Sequence, residues 1–247
     1  MSMPRLAVRL ATVKALMGQT LAGDAVHDSA IQTIDVMAVG ERRPFIVVYT
    51  DDGEVETRGG DLTSGQVMFG LTIECAVMAL GDAEALGVPD TDARLEIDID
   101  RLERQIKIAL RHSKTEWADL WRGLVISATP LRSVRGASAE SGTRFAARQL
   151  QMTVTSIAEP AYGVPASGEW ARFIALLEDD SETAGLAPVI RAEIEGEGDE
   201  TLAGYRRTFY AGNDLKAMGY SEDPNPPVVG PVDQIVYGHD TYGSDDA

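Results

Sequence analysis

Catalysis and metal binding need histidines, cysteines or carboxylates brought together at defined spacings, and this chain keeps them apart. Its three histidines, His27, His112 and His239, are far from one another and show no metal-ligand spacing. Cys75 is the single cysteine. That excludes an intrachain disulfide and a cysteine-cluster metal site, and it fits a protein assembled in a reducing cytoplasm. Cys75 also falls on the apolar side of an alternating run, where a small buried hydrophobe is the simpler reading than a nucleophile. No phosphate-binding glycine loop, dinucleotide fingerprint or nucleophile elbow is present. The acidic-x-Lys element of a nuclease occurs once, as Asp214-Leu215-Lys216, in a stretch expected to be helical and remote from Pro89-Asp90. The acidic run at 196–200 lacks the spacing of a calcium loop. The expectation is therefore a protein that is not an enzyme, with no catalytic residue, cofactor or metal.

What remains is a group of arginines. Residues 129–142, TPLRSVRGASAESG, read as a loop rich in Ser, Gly and Ala. It brings Arg132 and Arg135 close in sequence to Arg144 and Arg148. A solvated loop with scattered charge is one reading. The other is a docking finger for an acidic neighbour, and these four arginines are the candidate contacts between subunits or with a partner.

Those residues must be held by a sheet. From Arg144 to Ala158 the chain reads as one long strand, with Leu150, Met152 and Val154 two apart and Gln149, Gln151, Thr153 and Thr155 between them. A period of two puts the apolar set on one face and the hydrogen-bonding set on the other. Burying each large member stabilises the fold by roughly 1.5–3 kcal/mol, so the register is not free to slip. Ser156-Ile157 breaks the alternation and marks a bulge or the strand's end. Gln66 to Met78 alternates most cleanly, and Pro44 to Thr50 is a nearly continuous apolar run expected to be buried on both faces. Asp51-Asp52-Gly53 is expected to turn the chain into a short return strand from Glu54 to Arg58.

Helices should cover this sheet. Residues 4–17 show Leu6, Leu10, Val13 and Met17 on one stripe, with Gly18 as a stop. Arg5, Arg9 and Lys14 punctuate that stretch at helical spacing, which argues against a signal peptide. Thr91 to His112 has the strongest pattern: Leu95, Ile99, Leu102, Ile106 and Leu110 make one stripe, with Thr91 or Asp92 able to cap it. Glu116 to Leu124 carries Trp117, Leu120, Trp121 and Leu124, aromatic and aliphatic residues at packing spacing. Beyond Pro160 come a Gly/Pro linker and three helical stretches, at 168–180, 184–194 and 202–218.

The fold class expected is α+β: a mixed, largely antiparallel β-sheet with amphipathic helices packed on it. The organisation expected is an α+β core over 1–160, a helical extension over 161–220 and an extended Pro/Gly/Asp-rich tail over 221–247. The chain has 247 residues, a formal net charge of −17 and no apolar run of membrane-spanning length. Such a charge repels nucleic acid on average and excludes a broad basic grip on DNA.

Taken in order, the opening LATVKALMGQTLAGDAVHDSAI, the strand PFIVVYTDD at 44–52 and the strand ARQLQMTVTSIA at 147–158 resemble the tail terminator proteins of long-tailed bacteriophages and phage-like particles. The resemblance covers about two-thirds of the chain, to roughly residue 158. It implies a structural virion protein at the tail–neck junction, assembled in the bacterial cytoplasm. It also implies a homo-oligomeric ring, commonly hexameric, that caps the tail tube, ends its polymerisation and joins tail to head. The partners implied are the tail tube protein and the neck or head-completion proteins, with a sheath as a further candidate, and no membrane. DNA would pass through the channel without specific binding. A head-completion or neck adaptor of the same particle is the alternative implied.

Overall fold

The computed structural model describes residues 2–30, 37, 43–55, 65–78, 92–138 and 145–196. All of them belong to the compact unit Met1–Glu197. The expected helix at 202–218, the acidic run at 197–200 and the tail from 221 lie outside the described residues, as do Arg144, His239 and Asp214-Leu215-Lys216.

The fold is α+β, with five strands among the described residues in one mixed, mostly antiparallel sheet. The strands are β1 (Val26–Asp28), β2 (Phe45–Val55), β3 (Gln66–Met78), β4 (Val125–Ser138) and β5 (Phe145–Ala158). Their order across the sheet is β1-β2-β3-β5-β4, with β1 parallel to β2 and every other pair antiparallel. The alternation read from β5 holds in part: Leu150 and Val154 are buried among the helices, while Met152 is half-buried against them. β5 is an inner strand, but β3 occupies the centre. The break at Ser156-Ile157 is a bulge: β3 pairs Val67 with Ser156 and then Gln66 with Ala158, leaving Ile157 without a partner.

Three local expectations are corrected. First, Asp51-Asp52-Gly53 does not turn the chain back. β2 runs on to Val55 through a register shift between Thr50 and Gly53, which absorbs the two aspartates without ending the strand. Second, residues 129–138 are strand and not loop. From Leu131 to Ser138 every residue of β4 pairs with β5 in unbroken register, and that pairing outweighs the weak strand preference of Ser, Gly and Ala. Third, the residues after the first helix include β1, too short to show a period.

The α-helices whose bounds fall among the described residues are α1 (Met3–Leu16), α2 (Asp92–His112), α3 (Glu116–Leu124), α4 (Glu169–Asp179) and α5 (Ala187–Glu195). On α2 the expected stripe is the buried one, from Leu95 through Ile99, Leu102 and Ile106 to Leu110. On α1 it is offset. Ala7, Val8, Ala11, Ala15 and Leu16 are fully buried, whereas Leu6 and Met17 only flank the core. α1 is enclosed by several elements, so small residues that let neighbours approach mark its inner side better than a leucine count. Its buried Thr12 donates to the Val8 carbonyl at 2.7 Å and accepts from Trp121 Nε1 at 3.0 Å, which ties α1 to α3 without leaving a polar atom unpaired. Arg122 holds the end of α2 by donating to the carbonyls of Leu110 (2.9 Å) and Ser113 (2.8 Å).

α4 and α5 belong to the same compact unit as the sheet. Trp170, Phe173, Ile174 and Leu177 of α4 and Ile190 and Ile194 of α5 join the same core as α1 and β3. Trp117 and Trp170 both pack edge-on against Phe173. α5 ends at Gly196, in the left-handed region at φ 69°, where an added Cβ would meet the Tyr162 ring at 3.0 Å.

Candidate functional site

The sheet has two different faces. The helices cover one, and a second, smaller apolar cluster of Ala25, Met37, Phe45, Val47, Ala76, Met78, Phe145 and Ala147 covers the near end of the other. Farther along that second face the positions opposite one another are polar. Register places Tyr49 beside Thr72 and Gln151, and Glu74 beside Gln149, with Arg132 next to Gln151 on β4.

These side chains bond across strands. The Tyr49 hydroxyl donates to Glu74 Oε1 at 2.8 Å. Gln149 Nε2 donates to the same carboxylate at 2.6 Å and to the Tyr49 oxygen at 2.8 Å. Gln151 Nε2 donates to Gln149 Oε1 at 2.7 Å, and Thr72 Oγ1 donates to Asp51 Oδ2 at 2.8 Å. Asp51, Gly70, Thr72, Pro130, Arg132 and Gln151 border a shallow depression at the far end. The ladder uses β3 and β5 positions that the alternation marked as polar. Tyr49 was hidden by the apolar run around it.

Chemically this network is held and not activated. Burial, then the Glu74 acceptor, pushes the Tyr49 phenol well above its ordinary value, so it stays a neutral donor. Burial likewise pushes the Cys75 thiol up to about 12, which keeps it from becoming a thiolate. Among the described residues no group of three or more His, Cys, Asp or Glu is placed to hold a metal ion.

Of the four arginines, the structure brings Arg135 and Arg148 together and sets Arg132 apart from them. Arg148, on the helix side of β5, donates from Nη2 to Asp100 Oδ1 at 3.0 Å and Glu96 Oε2 at 3.2 Å, with Glu103 at 3.9 Å from its Nε. Arg135 lies directly opposite Arg148 in register and donates from Nε to Glu96 Oε1 at 2.9 Å. Two like charges opposed across strands would repel, and Glu96 between them removes that cost. Ser133 completes the contact with α2 by donating to Glu103 at 2.9 Å. Arg132 points the other way, is exposed and has no ion-pair partner among the described residues. Arg144 lies outside them. The sequence placed these arginines in one patch because it could not show that β4 alternates, which sends neighbours to opposite faces.

The outer side of β4 completes the surface. β4 is an edge strand, and Ile126, Leu131 and Val134 on it are 52%, 44% and 47% exposed. Comparison with known protein-family models and with curated protein sequences found no match.

Proposed function

We propose that this chain is a structural subunit of a phage-like particle that assembles with copies of itself into a ring, commonly hexameric, at the end of the tail tube. Such a ring stops tube growth and offers its other face to neck or head-completion proteins. The sequence resemblance supports this reading. The structural observation that carries it is the β4 edge: its first half is irregular, but Leu131–Ser138 pairs with β5 in unbroken register and presents exposed apolar side chains and an arginine with no ion-pair partner among the described residues, a template for pairing with another chain. A monomer would be expected to cover or blunt such an edge. The polar ladder on the open face is satisfied internally, which suits a surface that meets another protein without needing a bound small molecule.

A net charge of −17 fits a subunit whose channel must let DNA slide past. On this proposal part of that charge lines the channel. Electron microscopy of particles made without this protein tests the function. Tails of uncontrolled length are the expected result, whereas tails of normal length beside leaking or empty heads would identify a neck adaptor instead.

A further inference from the structure

We propose that copies of this chain join edge to edge into one continuous sheet, the outer side of β4 pairing with the distal part of β2 in the next copy. This rests on the ring reading and specifies its seam. β1 covers β2 only along Ile46–Val48, so among the described residues the outer side of β2 from Tyr49 to Val55 is unpaired. That stretch, from Asp51 onward, is exposed and carries Asp51, Asp52 and Glu54. The sheet therefore ends in an acidic edge on one side and, at β4, an edge with Arg132 on the other.

Charge, direction and face all agree. Asp52 and Glu54 have no ion-pair partner among the described residues, and neither has Arg132. Alternating antiparallel pairs make β2 and β4 run in opposite directions. A second copy that continues the sheet thus brings its β2 antiparallel to β4, the pairing with the more favourable hydrogen bonds. Register puts Glu54 (opposite Met68, itself opposite Thr155) on the open face, as it does Arg132 (opposite Gln151). In the continued sheet the carboxylate and the guanidinium would share one face. The two edges are different surfaces, so the contact is head-to-tail, the kind of interface that a closed ring requires.

Charge reversal on the full-length chain tests the seam. Both positions are exposed, so Arg132→Glu and Glu54→Arg should leave the circular dichroism spectrum of the folded chain unchanged. Each variant alone should sediment as a monomer where the natural chain forms rings, because each places like charges across every seam. An equimolar mixture should recover rings, since both kinds of seam are then attractive, and the double variant should recover them alone. As a second measurement, a chain carrying Arg132→Cys and Glu54→Cys should give a crosslinked ladder on oxidation. Either cysteine variant alone should give no dimer.

If Glu54→Arg assembles normally, or a single cysteine variant crosslinks to itself, the seam is refuted while the ring survives. Rings formed by both reversal variants, or a double variant that stays monomeric, also refute the seam alone. A natural chain that sediments only as a monomer refutes the ring and the seam with it.

Discussion

The two faces of the sheet are made by the same strands and behave differently. On the helix face, Phe69, Leu71, Ile73, Leu150 and Val154 are buried in one apolar cluster with residues of α1, α2 and α4. On the far end of the other face, the residues between them bond to one another across three strands and remain partly open to water. Burial holds the first face and hydrogen bonds hold the second. The first depends on volume, the second on leaving no partner unmade. Edge strand β4 divides in the same way: Arg135 faces α2 and is neutralised there, whereas Arg132 faces outward with no ion-pair partner among the described residues.

The largest expected effect separates the faces directly. Leu150→Ala should destabilise by about 2–5 kcal/mol, because it removes buried methyl groups from a packed site and leaves a cavity. Gln151→Ala, next along the same strand, should cost only about 0.5–1.5 kcal/mol, the net contribution of its hydrogen bond to Gln149. Chemical denaturation measures both, and equal losses would mean that the open face is as tightly packed as the covered one. Arg148→Met comes next at about 1.5–3 kcal/mol, since it leaves Glu96, Asp100 and Glu103 facing one another without their shared cation. Arg132→Met should be near neutral for folding, and a large loss there would show an internal partner for that side chain.

Much of this was legible before the structure because it follows from periodicity. β3, β5, α2 and α3 announce themselves through apolar residues two or three to four apart, and their ends fall close to the expected places. β4 was illegible for a physical reason. An edge strand buries little, so its sequence is free to be polar and small, and only pairing with β5 makes it extended. The aspartates at 51 and 52 read as a turn because their chemistry is the same in a turn and in an edge-strand bulge. The opposite faces taken by Arg132 and Arg135 were illegible for the same reason, since a residue's face depends on the strand it was not known to occupy.

The polar ladder also responds to pH, and in one direction. The Tyr49 phenol binds its proton more tightly in the folded protein than in the unfolded chain. Its contribution is thus complete below the ordinary tyrosine value of about 10 and lost as pH rises through the folded value. Absorbance titration should find one of the seven tyrosines ionising well after the others. Glu74→Gln should bring it part of the way back, because the repelling charge is gone while burial remains.

A small effect is expected of an ion pair on the helix side. Lys14 Nζ reaches Asp180 Oδ2 at 2.7 Å and Glu182 Oε2 at 2.6 Å, which ties α1 to the chain just beyond α4. Burial alone would raise the Asp180 carboxyl, but the bond and charge of Lys14, together with the backbone N–H groups of Glu182 and Thr183, outweigh this and hold it below the usual carboxylate range. A depressed acid stabilises above its unfolded value, and that share is lost as pH falls through the folded one. Asp180→Asn should therefore cost about 1 kcal/mol or less near neutrality. It should also flatten the acid limb of the stability profile, with Glu182 still paired to Lys14. A loss as large as that of Leu150→Ala would mean that this junction, and not the apolar core it flanks, fixes α4 against α1.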